Sequence, residues 1–384
     1  MTNLDLKSEL RQFLEAKGIR FEMDPMDVDA ELQKAMPRGR FEKYLQAAFA
    51  RNSGGGDIKE IYRAMSTQSE ANTLISEQAE VYLDTNAAVL EKVERHLKPG
   101  STIWEMGCMN GLCAEWLAEN HPEIHVYGTD RAGQVLRDAS KKHALRNLEY
   151  LVWDYSTSMP NPAYRQADII YCVNGVEEPV NDSAHHSTDP SDLRESEYYK
   201  LYVQRYQPIL ERWGGVCSSK TLMVIVLRLP GDTEKLAVID ALSAFGWNVD
   251  LSASTHVYSD RQSIPLLVAE RIDGHPTRTV PITNFLEWAA RQHDLNPNRD
   301  PNSAYEGAKA ILAYEALRDN NVLHRDSRTY DDGHTMHIEI GKGDSKGYIF
   351  AIATTGYLKF KDIPEDKIEQ CTTTDLNDLV MYFL

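Results

Sequence analysis

One stretch, Ser101 to Asp130, constrains this chain more than any other. It reads Ser-Thr-Ile-Trp-Glu-Met-Gly-Cys-Met-Asn-Gly, then Leu-Cys-Ala-Glu-Trp-Leu-Ala-Glu-Asn, and after a short link His-Val-Tyr-Gly-Thr-Asp. The pattern is a strand, a tight glycine turn, a helix, a second strand and an acid at that strand's end, which is a βαβ unit. Gly107 and Gly111 let the backbone turn sharply and let a ligand come close. Asp130 follows the turn by about 20 residues, the place where a carboxylate can grip two ribose hydroxyls.

A unit of this kind suits an adenosine-containing cofactor, and the form of its turn narrows the choice. A dinucleotide fold wants G-x-G-x-x-G, because pyrophosphate needs bare backbone at a helix N-terminus. Here the run is Glu105-Met106-Gly107-Cys108-Met109-Asn110-Gly111, with only two glycines. It resembles the first motif, E/D-x-G-x-G-x-G, of the class I S-adenosylmethionine (SAM)-dependent methyltransferases. Glu105, Gly107 and Gly111 match that motif, and Met109 stands where its middle glycine is usual.

Downstream of this motif the chain alternates strand and helix. Strands are predicted at 103–106, 125–129, 148–153, 168–173, 220–229, 248–253 and 263–272, with helices at 112–120, 132–143, 193–212 and 233–245. Alternation of this kind implies a mostly parallel, doubly wound sheet with helices on both faces. The last two strands lack an intervening helix, so the seven-stranded sheet should end in an antiparallel edge hairpin. That order of elements also matches the methyltransferase resemblance, which spans about 170 residues. The expected organisation is a helical N-terminal region at 1–97, a Rossmann-like SAM-binding domain at 98–272, and a C-terminal α+β region at 273–384. In the first region Leu6, Leu10, Phe13 and Leu14 form one apolar stripe. A second helix is expected over about 30–51 and a long one over 69–97, separated by the flexible Gly54-Gly55-Gly56 run. The last region carries two helical stretches, a hairpin pattern and a closing helix.

The resemblance assigns roles to single residues. Gly107, Cys108 and Gly111 would cradle the methionine and ribose parts of SAM. Glu105 would reach the amine directly or through water. Asp130 would hold the ribose hydroxyls, with Arg131 flanking it. Asp154 would accept from the adenine amino group, with a main-chain contact at Tyr155. Asn174, ending the fourth strand, would face the reaction centre. The same residues admit plainer roles: Asp130 and Asp154 as helix caps, Asn174-Gly175 as a turn.

SAM already carries an activated leaving group, so a protein mainly aligns acceptor and methyl. An O–H acceptor usually needs a base, and histidine is the side chain that titrates nearest neutrality. The polar run after the fourth strand supplies His185 and His186 among several acids. No metal is expected: Asn174 and Asp232 stand where some O-methyltransferases place carboxylates, and one carboxylate is too few for a hard cation.

The chain has 384 residues, 41 basic and 58 acidic side chains, and a net charge of −17. That balance speaks against a nucleic-acid footprint, which needs basic patches, and against an anionic membrane surface. No apolar run approaches the roughly 18 residues a spanning helix needs, and the first residues lack a signal peptide's apolar core. The five cysteines are odd in number and form no C-x-x-C, so reduced thiols and a cytoplasmic setting are expected. The function these features favour is methyl transfer from SAM to an N or O atom of a small molecule, a specialised metabolite, in a biosynthetic role. The N-terminal helices are expected to cap the site or make a homodimer. The rival readings are an NAD-dependent oxidoreductase and a non-catalytic SAM-binding or assembly protein.

Overall fold

The computed structural model describes residues 3–52, 58–143, 145–176, 190–229, 231–260, 262–272, 279–300, 303–317, 321–343, 346–354 and 357–384. The chain divides into two compact units. The first comprises Met1–Val180, Gln207–Arg228 and Ala244–Thr277; the second comprises Asn181–Tyr206, Leu229–Ser243 and Arg278–Leu384.

The first unit opens with six helices: α1 (Asn3–Ala16), α2 (Pro25–Ala35), α3 (Arg38–Asn52), α4 (Ile58–Ala64), α5 (Gln68–Ser76) and α6 (Ala79–Glu94). The single helix expected near 30–51 is two helices. Met36 is extended, as a residue before proline tends to be, so the chain breaks at Pro37. The long pattern over 69–97 is also two helices, because Gln78 leaves the helical region (φ −130°, ψ 37°) between α5 and α6. The expected glycine run lies outside the described residues.

Then come β1 (Thr102–Met106), α7 (Leu112–Asn120), β2 (His125–Asp130), α8 (Gly133–Lys142), β3 (Leu148–Val152), β4 (Ala167–Val173), α9 (Glu197–Gly214), β5 (Cys217–Val226), α10 (Asp232–Ala244), β6 (Trp247–Val249), β7 (Thr255–Ser259) and β8 (Gln262–Arg271). Of these, α9 up to Tyr206 and α10 up to Ser243 belong to the second unit. The sheet order is β3-β2-β1-β4-β5-β8-β6, with β7 also paired to β8. Strands β1 to β5 are parallel. β8 runs antiparallel to β5, and β6 and β7 run antiparallel to β8. This is the expected doubly wound sheet with an antiparallel edge. It has eight strands, because Thr255–Ser259 makes one more strand than the sequence pattern suggested.

β1 is buried along its length and β4 over most of its own, as in parallel sheets covered on both sides. On one face Ile103, Val126, Ile169, Tyr171 and Val224 join a core with Leu6, Leu10 and Leu14 of α1, the inner side of α6, and Leu112 and Leu117 of α7. The stripe on α1 is therefore core. On the other face Trp104 packs on Tyr127 at 4.5 Å between ring centres, with Trp153 and Tyr164 edge-on to it. The order of the strands reverses at β1. The loops after β1 and β4 therefore leave the sheet on either side of a crest, the place where open α/β sheets bind ligands.

The second unit holds α11 (Ile282–Asp294), β9 (Tyr305–Glu306), α12 (Gly307–Glu315), β10 (Asn321–Thr329), β11 (Thr335–Lys342), β12 (Gly347–Ala353), β13 (Leu358–Ile363), α13 (Ile368–Thr373) and α14 (Leu376–Phe383). Its sheet order is β10-β11-β12-β13-β9, and every pairing in it is antiparallel. The hairpin read from the sequence is β11–β12. It is the middle of a larger sheet whose outer strand β10 is too polar and exposed to show a strand's alternation.

Candidate functional site

The loop after β1 is built by unusual backbone. Gly107 (φ 77°), Met109 (φ 45°) and Gly111 (φ 75°) all sit in the left-handed region. Met109 keeps there the conformation its usual glycine would have. The N–H groups of Gly107 and Cys108 both donate to the Thr129 carbonyl, at 2.8 and 2.9 Å. The loop is thereby tied to the end of β2. Asp130 completes the tie. One oxygen accepts the Met109 N–H at 2.8 Å, and the other accepts the Ala132 N–H at 2.7 Å. Burial pushes the Asp130 carboxyl up; the Ala132 and Met109 N–H groups and the Arg131 charge pull it back.

The two glycines have different neighbours. A Cβ on Gly107 would lie 2.7 Å from the Gly175 Cα and 3.0 Å from the Tyr155 hydroxyl. A Cβ on Gly111 would run into the Tyr150 ring, which also covers Gly128. The Tyr150 hydroxyl donates to the Gly111 carbonyl at 2.9 Å. Gly111 thus makes room for an aromatic ring of β3, a packing reason invisible in the motif.

Glu105 is buried on the α7 side of β1. Burial, reinforced by Asp130, pushes its carboxyl up to about 8, against the pull of the Tyr171 hydroxyl and the Ala114 N–H. Tyr171 stands near enough to favour the carboxylate but outside hydrogen-bond geometry, so Glu105 Oε2 and Tyr171 Oη are both without a hydrogen-bond partner. Asn174, at the end of β4, has φ 51° and donates its N–H to the Val226 carbonyl at 2.8 Å. Its side-chain Oδ1 is buried and unpartnered. Asparagine tolerates this left-handed backbone better than most residues.

Asp154 follows β3. Its Oδ1 accepts from the Ser156 N–H at 3.0 Å and the Ser156 hydroxyl at 2.5 Å, an Asx-type turn. The Tyr155 ring turns toward Trp153 and Trp213, its hydroxyl donates to the Gly175 carbonyl, and its own carbonyl accepts from Arg212 at 3.3 Å. The fold therefore brings Glu105, Gly107, Cys108, Gly111, Asp130, Arg131 and Asn174 to the crest, with Asp154 and Tyr155 on the neighbouring strand end. His185 and His186 lie outside the described residues.

Other residues at the crest have no motif to announce them. Asn110 is fully buried. Its carbonyl accepts from Gln68 Nε2 at 2.9 Å, and its side-chain Nδ2 donates to Asn72 at 3.0 Å. Its Oδ1 accepts from Tyr82 at 3.3 Å and from the Leu112 N–H at 3.2 Å. Helices α5 and α6 thus grip the loop. Met109 and Ala132 pack against a second apolar cluster formed by Val28, Leu32, Phe41, Tyr44, Ala64 and Met65 of the N-terminal helices. The N-terminal helices therefore pack directly on the loop after β1. Tyr62 of α4 is half-buried; desolvation, with the Asp130 charge, pushes its hydroxyl up against the opposing charges of Arg228, Arg131 and Arg51. A polar pattern spaced over 70 residues of sequence cannot show such a convergence before the chain folds.

Among the described residues no group of three or more His, Cys, Asp or Glu is placed to hold a metal ion. Asp232 is engaged elsewhere, accepting from Lys235 and from the Ala308 N–H. The five cysteines are free and buried. No helix among the described residues is long and apolar enough to cross a membrane.

No protein-family model matches this chain, and no curated protein does. Solved structures do resemble it. One is the magnesium protoporphyrin IX methyltransferase of Synechocystis with bound SAM, at 12% identity over 65% of this chain and 98% of that one, TM-score 0.36. Another is the O-methyltransferase of a Brevibacillus brevis trans-AT polyketide synthase with S-adenosylhomocysteine, at 10% identity over 57% and 82%, TM-score 0.38. A third is a 16S rRNA (adenine-N1)-methyltransferase variant from Catenulisporales acidiphilia, at 16% identity over 49% and 92%, TM-score 0.34. These neighbours are SAM-dependent methyltransferases whose acceptors differ in kind.

Proposed function

We propose that this protein is a SAM-dependent methyltransferase that acts on an N or O atom of a small molecule, in the manner of a tailoring enzyme of biosynthesis. The observation that carries this reading is a pair of unclaimed acceptors at the crest. Glu105 Oε2 and Asn174 Oδ1 are buried without partners at the ends of β1 and β4. Buried polar atoms normally find a partner, and the ammonium of a methionine tail is a donor suited to such a site. Asp130 stands beside them with each oxygen holding one main-chain N–H, which leaves lone pairs for a ribose diol. Asp154, at the next strand end, is the candidate partner of an adenine amino group.

When bound, SAM supplies a methyl group on a sulfonium leaving group. The chain's own part is to hold and align. The Asp130 tie keeps the loop's left-handed backbone in place before any ligand arrives, which lowers the ordering cost of binding. His185 and His186 are the candidates to take a proton from the acceptor. A net charge of −17 argues against RNA as that acceptor.

The test is a thermal-shift comparison of SAM, S-adenosylhomocysteine and NAD, since a ligand that binds the native state raises the melting temperature. SAM and its demethylated product should both stabilise. Stabilisation by NAD alone defeats the proposal. SAM binding without transfer of a deuterated methyl group to any metabolite in cell extracts would make this a binding protein instead.

A further inference from the structure

We propose that Gln68, His143 and Glu115 are positioning residues for the cofactor loop after β1, which they hold through Asn110, so that affinity for SAM follows the proton shared by His143 and Glu115. This rests on the methyltransferase reading and adds the residues that tune its cofactor site. Asn110 lies between Met109 and Gly111, both in the left-handed region, so the partner of its carbonyl sets the peptide that leads into Gly111. That partner is Gln68 Nε2 on α5, at 2.9 Å. Gln68 Oε1 faces His143 Nε2, just past α8, at 3.2 Å. His143 Nδ1 in turn lies 2.5 Å from Glu115 Oε1 on α7. Gln68, Asn110 and Glu115 are all buried.

These contacts run in one direction. A carbonyl can only accept, so Asn110 fixes which end of the Gln68 amide is which. Gln68 Oε1 then accepts from His143, whose Nε2 must carry hydrogen. A further proton is needed between Nδ1 and Glu115, since two lone pairs repel at that separation. Without it, a neutral imidazole has one N–H for two acceptors. If that N–H turns to Glu115, Gln68 loses its donor, and flipping the amide sets Oε1 against the Asn110 carbonyl. Lys17, just past α1, closes a second path. Its Nζ donates to Glu115 and, at 3.3 Å, to Glu119. Its carbonyl accepts from Asn72 Nδ2 at 2.8 Å, and Asn72 Oδ1 accepts from Asn110 Nδ2 at 3.0 Å. Burial, with Glu119, raises the Glu115 carboxyl against the pull of Lys17. Burial, with Lys17 and Lys142, lowers His143 against Glu119 and Asp138. Tyr150 of β3 is a further titratable group under the influence of Glu115. Both shifts favour the neutral pair with its proton on Glu115, and that proton leaves as pH rises.

The experiment titrates S-adenosylhomocysteine into the full chain by calorimetry at pH 6 and at pH 9. A glutamine at position 115 can donate to His143 Nδ1 through its amide and has no proton to lose. The affinity of Glu115→Gln relative to wild type should therefore rise about fivefold or more from pH 6 to pH 9, the worth of one buried hydrogen bond. Gln68→Leu cuts the same path on the loop side. In that background the change at 115 should leave the ratio flat, and Gln68→Leu alone should show a weaker pH dependence than wild type. A Glu115→Gln ratio that ignores pH, or a rise that persists beside Gln68→Leu, overturns the proposal. Should Glu115→Gln fail to fold by circular dichroism, Gln68→Leu decides: a pH dependence equal to that of wild type overturns the proposal, and a flattened one upholds it. Failure of S-adenosylhomocysteine to bind the wild type overturns the methyltransferase reading, a result distinct from all of these.

Discussion

The Asp130 carboxylate accepts the main-chain N–H of Met109 at 2.8 Å, fastening the loop after β1 to the end of β2. One side chain therefore sets the loop's shape and is also the candidate ribose contact. Replacing Asp130 by Ala should act on both. S-adenosylhomocysteine affinity should fall more than tenfold. Stability should fall by about 1–3 kcal/mol, because two main-chain donors lose their acceptor. Calorimetric titration and urea unfolding measure the two effects; unchanged affinity would show that the ribose contact is misassigned.

Glu105 makes stability depend on pH. Its carboxyl is raised from 4.5 to about 8 in the folded protein, so between these values the native state holds a proton that the unfolded chain has released. Stability must then fall as pH rises through that window. Glu105→Gln removes the dependence, and the variant should gain on the wild type by a few kcal/mol between pH 5 and pH 9. Parallel urea-unfolding profiles for the two proteins would refute this.

Gly111 is held to glycine twice over, by its φ of 75° and by the Tyr150 ring against it. Gly111→Ala should cost more than about 1 kcal/mol from the backbone alone. Adding Tyr150→Ala to that variant should return part of the loss due to overlap, so the two changes should couple in a double-mutant cycle. Strict additivity would mean that the ring moves aside freely.

Met109 sets two terms against each other. Its left-handed backbone costs roughly 1–2 kcal/mol, while its half-buried side chain recovers a share of the roughly 1.5–3 kcal/mol of a fully buried one. Met109→Gly should therefore leave the melting temperature nearly unchanged. The contact with the N-terminal helices is still lost, so amide exchange in α4 and α5 should quicken. Unaltered exchange there would show that Met109 does not hold these helices.

Replacing both His185 and His186 with Ala should slow turnover on the order of a hundredfold or more, the worth of a general base, with S-adenosylhomocysteine affinity near normal. Normal turnover would remove both from catalysis.

The sequence by itself determined the sheet's class and the crest's main residues. Both are written in local periodicities and in short motif spacings, as in Glu105 to Gly111 and the acid at 130. The break at Pro37 carries its own local signal, the proline, whereas the break at Gln78, inside an apolar stripe that continues across it, and the polar strand β10, which carries no alternation, have none. Only the tertiary structure decided why Gly111 is glycine, since the ring that excludes a side chain comes from Tyr150, 39 positions away. The grip of Gln68, Asn72 and Tyr82 on Asn110 is likewise absent from any local pattern. Buried polar contacts depend on which distant segments packing brings together, and a one-dimensional pattern records only which way a segment's apolar face points.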